Sequence, residues 1–197
     1  PHHASECTAE TIKGLRELSQ NSKVVAIGEC GLDFNRNFSP PEDQELAFSA
    51  QLELASELHM PVFLHERDAF EREVALLKPW LEKIPAAVVH CFTGSLEEVK
   101  SYLEMGLFIG LTGAICDERK PWLEEVVKAI PLNRLMIETD APFQTPRDLR
   151  PKPKGGRNEP AFLPQIVQKI AAIKGLSYSE IARHSTENAN KFFGLPQ

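Results

Sequence analysis

The stretch Leu135-Met136-Ile137-Glu138-Thr139-Asp140-Ala141-Pro142 decides the fold class. Leu135, Met136 and Ile137 are apolar without alternation, as in a short strand covered on both faces. Asp140 stands where the chain leaves the sheet, and Pro142 blocks continuation of the strand. A buried parallel strand that delivers a carboxylate at its C-terminal end is the pattern of a barrel active site. An aspartate that only caps the next turn gives the same local signal, so the other strands must decide.

Upstream, the same unit repeats. Residues 24–28 form an apolar run ending on Glu29, residues 61–64 one ending on His65, and residues 86–89 one ending on His90. Residues 107–111 form a further strand, without a ligand-type residue at its end. Helical patterns lie between them. One is weak, over residues 6–19. A second starts at Pro40-Pro41-Glu42-Asp43 and runs to about His59, with Leu46, Leu52, Ala55 and Leu58 as its expected inner face. A third carries Phe70, Val74, Leu77 and Trp80, and a fourth starts at the capping box Ser95-Leu96-Glu97-Glu98 and closes at Gly106. Residues 117–129 read as another helix, and Cys30-Gly31-Leu32-Asp33-Phe34 as a glycine-containing loop. A Pro-rich loop over residues 141–159 and two or three helices to Phe193 complete the chain.

Five short strands alternating with helices predict a parallel α/β fold joined by right-handed crossovers. The Gly-rich phosphate turn of a dinucleotide-binding sheet is absent after the first strand. Eight strands close a barrel and five do not. The pattern therefore fits either an open sheet or a barrel with about three strands missing at the front. The sequence opens on Pro1-His2-His3, which reads as a loop entered mid-course.

The chain has 197 residues, 42% hydrophobic and 25% charged, and is read as one domain over residues 1–197. A net charge of −6 offers no general attraction to a polyanion, so local cations must offset repulsion from a nucleic acid. Cys7, Cys30, Cys91 and Cys116 are widely spaced, which predicts reduced thiols in the cytoplasm. No stretch of eighteen apolar residues suggests a membrane span.

Glu29, His65, His90 and Asp140, each at a strand end, make a metal-ligand set: neutral imidazole nitrogens beside anionic oxygens suit Mg²⁺, Mn²⁺ or Zn²⁺. Each has a bland alternative: Glu29 as a loop acid, His65 as a solvated helix start, His90 as a satisfied core histidine. Their shared placement at four of five strand ends favours the joint reading. His59 and His184 are weaker candidates, on a helix end and a late polar helix. Arg147, Arg150, Lys152, Lys154 and Arg157 form a basic loop after the Asp140 strand, suited either to phosphate or to solvent.

Several motifs together resemble the TatD-type metal-dependent deoxyribonucleases. They are Ile27-Gly28-Glu29-Cys30-Gly31-Leu32-Asp33, Pro61-Val62 with His65, Arg67 and Asp68, and His90-Cys91-Phe92-Thr93-Gly94. Glu138-Thr139-Asp140-Ala141-Pro142, Arg157-Asn158-Glu159-Pro160 and Asn188-Ala189 with Phe192-Phe193 follow in family order. The resemblance implies an amidohydrolase-like TIM barrel that hydrolyses phosphodiester bonds, commonly as a 3′→5′ exonuclease on DNA, with RNA a further substrate class. It implies Glu29, His65, His90 and Asp140 as ligands of divalent metal, with two ions per site and Mg²⁺ expected. Glu29 and Asp140 are then the catalytic carboxylates, and Arg67, Arg157 and His2 the substrate contacts. Pro1 resembles the proline of the family's Gly-x-His-Pro segment, which places the front strands outside this sequence. Glu66 stands where smaller residues are usual, an extra carboxylate expected to alter metal affinity. The fold also hosts amidases, deaminases and deacylases of aminoacyl-tRNA, and an inactive fragment with an exposed edge strand is a third reading.

Overall fold

The computed structural model describes residues 1–195, which divide into two compact units. Residues 1–90 with 192–194 form the first, and residues 91–191 with Leu195 the second. The first holds α1 (Ala9–Leu18), β1 (Ile27–Asp33), α2 (Pro41–Leu58), β2 (Val62–Arg67), α3 (Phe70–Leu77) and β3 (Ala87–Val89). β2 pairs in parallel with β1 on one side and β3 on the other. The second holds α4 (Leu96–Glu104), β4 (Phe108–Leu111), α5 (Leu123–Ala129), β5 (Leu135–Ile137), α6 (Leu163–Lys174) and α7 (Tyr178–Phe193), with β4 and β5 parallel. Strand–helix–strand repetition with parallel pairing is the expected α/β class. β3 and β4 are apolar and buried at every residue, as strands covered on both faces are, whereas β1 and β2 also carry polar residues.

Three expectations need correction. The first strand is Ile27–Asp33, so Val24 to Ala26 precede it and the expected loop at Cys30–Asp33 is strand. Two glycines lower local strand propensity, but the ladder to β2 overrides it and runs on to Asp33 opposite Arg67. Leu46 is 71% exposed, whereas Phe48, Leu52 and Ala55 are buried. Two helical residues span about 200°, so a face set by Phe48, Leu52 and Ala55 turns Leu46 outward. The helix expected over residues 117–129 begins only at Leu123. Pro121 disfavours helical backbone at the residue before it, and Asp117 instead holds Arg119, with Nη2 donating to Oδ2 at 2.7 Å. The Ser95–Glu98 capping box forms as expected: Ser95 N donates to Oε2 of Glu98 at 2.6 Å, and Glu98 N to Oγ of Ser95 at 3.2 Å.

Gly31 is required by packing as well as by conformation. Its φ is +136°, and a Cβ there would strike the carbonyl oxygen of His65 on the neighbouring strand. Gly31→Ala is expected to destabilise the protein by roughly 2–3 kcal/mol, read from urea denaturation, while displacing the backbone that carries His65.

A candidate metal centre at the strand ends

Parallel register explains how this set assembles. Gly31 pairs with His65, so Glu29 and Asp33, two residues before and after it, point to the same face as His65. The ladder slips between Gly28 and Cys30, which lets Glu29 stand out of the regular pairing. On the other side Leu64 pairs with Val89, and His90 N donates to the Leu64 carbonyl at 2.9 Å, which sets His90 beside His65.

Three predicted ligands therefore converge. His65 Nδ1 lies 2.6 Å and His90 Nε2 2.9 Å from Oε1 of Glu29, and the two nitrogens are 3.4 Å apart. The other nitrogen of His65 does not face solvent: Nε2 is 3.1 Å from Oδ2 of Asp33. His2 Nε2 approaches the same oxygen at 2.9 Å. A neutral imidazole carries only one N–H, so His65 cannot donate to both carboxylates unless protonated. One lone pair must face a carboxylate, which is tolerable where a cation sits between them. This acceptor crowding fits a divalent metal held by Glu29, His65 and His90.

The hydrogen bond with His65, and then that with His90, holds the Glu29 carboxyl well below the usual carboxylate range, against the upward push of burial. Burial pushes the thiols of Cys30 and Cys91 up to about 12, so the cysteines beside Glu29 and His90 stay protonated and do not compete as thiolate ligands. A pH dependence follows. The unfolded chain protonates Glu29 near its ordinary value of about 4.3, while the folded protein keeps it ionised. The unfolded state thus binds the extra proton, and stability is lost as pH falls from that value through the depressed folded one. Acid melts of the metal-free protein should show this loss, and Glu29→Gln should flatten it.

The fourth predicted ligand, Asp140, follows β5 in the second unit. It adopts a left-handed φ of 55°, which aspartate tolerates better than most residues. The turn is held by Asn158, 2% exposed, whose Nδ2 donates to the carbonyls of Thr139 at 2.8 Å and Phe143 at 2.7 Å. Glu138 accepts the Cys91 backbone N–H at 2.7 Å. Arg67 ends β2, and Arg157 lies exposed after the Pro/Gly loop. In that loop Arg150 Nη1 donates to its own neighbours' carbonyls, those of Arg147 and Leu149. Arg147 Nε lies 3.7 Å from Asp117 Oδ1. The Glu66 carboxylate accepts the Ala69 N–H at 2.8 Å at the entry to α3. His59 ends α2 in a left-handed cap, and His184 Nδ1 lies 3.7 Å from Glu187. The sequence reading missed Asp33 and Asn158 as contributors, although both stand inside motifs quoted above.

A family model described as TatD related DNase matches residues 1–194. The chain belongs to the TatD-related DNase family. A protein of Erwinia tasmaniensis named 3′-5′ ssDNA/RNA exonuclease TatD is 57% identical over 196 residues, covering 99% of this chain and 76% of the relative. One of the same name from Klebsiella pneumoniae is 55% identical over 196 residues, covering 99% and 74%. Among solved structures, a TatD family hydrolase from Entamoeba histolytica superposes with a TM-score of 0.89 at 29% identity, covering 100% of this chain and 73% of that one. A TatD homologue from Escherichia coli gives 0.87 at 29% identity, covering 98% and 73%. The fold is thus that of the TatD hydrolases, a TIM-barrel class, and five of its parallel strands are described here. No described helix is long and apolar enough to cross a membrane.

Proposed function

We propose that this TatD-family chain is a divalent-metal-dependent phosphodiester hydrolase that shortens single-stranded DNA, and RNA as a further substrate, from the 3′ end. The observation that carries the reading is the convergence of Glu29 on β1, His65 on β2 and His90 directly after β3, within a family of DNases. We treat residues 1–197 as one hydrolase domain, supported by the uninterrupted family match, and place it in the cytoplasm, supported by its four free cysteines.

Glu29, His65 and His90 would hold the cation, with Asp140 as the further ligand and two ions per site. Mg²⁺ is the first ion to test, with Mn²⁺ and Zn²⁺ as alternatives that imidazole donors also accept. When bound, divalent metal supplies a more acidic water and neutralises charge that develops on the phosphoryl oxygens. Asp140 takes the proton of the attacking water. The support is its position at a strand's C-terminal end and the buried amide that fixes its turn. Glu29, ionised throughout the working pH range, keeps two imidazole nitrogens aimed at one point. Arg67, Arg157 and His2 are the proposed contacts to the substrate backbone, where cations offset a net charge of −6.

The test is digestion of a 5′-labelled single-stranded oligonucleotide with Mg²⁺, with EDTA and with the Asp140→Asn variant. A ladder shortening from the 3′ end, lost with EDTA and in the variant, is expected. An active Asp140→Asn variant would remove Asp140 from the mechanism, and cleavage that survives EDTA would remove the metal.

A further inference from the structure

Asp33 is 1% exposed and is the last residue of β1. Oδ1 accepts the backbone N–H groups of Arg36 at 2.7 Å and Asn35 at 3.1 Å. Its backbone is clamped by buried Gln44: Asp33 N donates to Oε1 at 2.7 Å, and Nε2 donates to the Asp33 carbonyl at 3.1 Å. Oδ2 has no choice of position left. It lies 3.1 Å from Nε2 of His65 and 2.9 Å from Nε2 of His2, whose ring meets that of His65 edge-on at 5.1 Å.

We propose that Asp33 is a positioning residue for the metal centre, a buried carboxylate that fixes the tautomer and orientation of His65 and tethers His2 beside it. An ionised carboxylate only accepts. Oδ1 already accepts two backbone N–H groups, so the carboxylate presents Oδ2 to His65 as an acceptor. With a cation on the Glu29 side, His65 keeps its proton on Nε2, facing this acceptor. Its Nδ1 lone pair is then directed to where Glu29 Oε1 and His90 Nε2 converge. Orienting carboxylates of this kind raise the basicity of a ligating imidazole and prevent its rotation. The glycine at position 31 completes the device, because His65 pairs with it and Glu29 and Asp33 flank the ring from either side. His2 and Asp33 thereby act through His65.

The inference rests on the metal-site reading above, and Asp33→Asn tests it separately. The variant is isosteric, and its carbonyl oxygen can still accept from Asn35 and Arg36. That choice puts the new NH₂ group where Oδ2 was, facing His65 Nε2 with a donor. The tautomer should therefore flip. At a Mg²⁺ concentration that saturates the wild type, long-range ¹H–¹⁵N spectra at pH 8 should show His65 of the wild type protonated on Nε2, and that of the variant protonated on Nδ1. Calorimetric titration with Mn²⁺ should give the variant an affinity 10- to 100-fold weaker, with the same number of ions bound. Circular dichroism and a thermal melt check that the variant is folded, and His2→Ala supplies a second test that leaves Asp33 in place. It should retain the Nε2 tautomer of His65 and the full complement of ions. Wild-type Mn²⁺ affinity in Asp33→Asn, or His65 protonated on Nδ1 in the wild type, would overturn the proposal. So would the loss of one bound ion in His2→Ala, which would make His2, with Asp33 and His65, the holder of a second ion. If the wild type bound no divalent ion, the metal-site reading would fail and the proposal with it. If the wild type bound ions that Glu29→Gln lost and Asp33→Asn kept at full affinity, only the proposal would fail.

Discussion

Glu29→Gln should abolish calorimetrically detectable Mn²⁺ binding and lower oligonucleotide turnover by roughly 10³-fold or more, while leaving the fold intact. His65 and His90 both converge on this side chain, at 2.6 and 2.9 Å. Gln keeps the shape and one acceptor oxygen but loses the negative charge. Two imidazole nitrogens 3.4 Å apart then lack the anion that a divalent cation needs beside them. Near neutral pH with metal removed, the variant should lose a modest amount of stability, the part that acid takes from the wild type. A partly exposed carboxylate hydrogen-bonded to two histidines contributes little once screened by solvent. A variant that binds Mn²⁺ normally would move the centre away from Glu29. A variant that fails to fold would make the cluster structural.

The second large effect is expected at Asn158, a residue with no chemistry of its own. Its buried amide joins the carbonyls of Thr139 and Phe143 on either side of Asp140, and its backbone N–H donates to the Pro142 carbonyl at 3.1 Å. Asn158→Ala removes both side-chain bonds and leaves two carbonyls without that donor. The expected loss is about 2–4 kcal/mol, which for a chain of this size lowers Tm by roughly 5–15 °C. Turnover should fall more than stability alone explains at temperatures where the variant is folded, because Asp140 sits in the left-handed conformation that this bridge maintains. Metal affinity at Glu29, His65 and His90 should change less than kcat. Measuring Tm, Mn²⁺ affinity and kcat on one preparation separates the three effects. An unchanged kcat with a lowered Tm would mean that Asn158 only stabilises the loop.

Local sequence was sufficient for the α/β class and for singling out Glu29, His65 and His90, whose side chains the structure brings together. The reason is the period of each signal. An apolar run of three or four residues ending on one His, Glu or Asp can be read without knowing its partners, since a strand buried on both faces has no polar positions until it ends. The Ser95–Glu98 capping box was legible for the same reason, because its bonds span three residues. Inner-face assignment was less secure. Leu46 and Leu52 are both apolar, and only packing against the sheet decided that Phe48 and Leu52 face inward.

Asp33 and Asn158 show what local reading could not supply. Cys30-Gly31-Leu32-Asp33 carries too much glycine to read as strand, and it becomes one because β2 offers a ladder as far as Arg67. That pairing, 34 residues distant in sequence, is what turns Asp33 toward His65. Asn158 reaches Thr139 across 19 residues of irregular loop, where no periodicity announces a contact. The sequence by itself therefore determined which polar residues accompany each apolar run, because hydrophobic pattern is a local property, but not that β1 runs on past Glu29 to Asp33 and β2 past His65 to Arg67. Only the tertiary structure decided which buried polar groups hold those residues in place, because a buried carboxylate or amide must find its partners wherever the fold brings them.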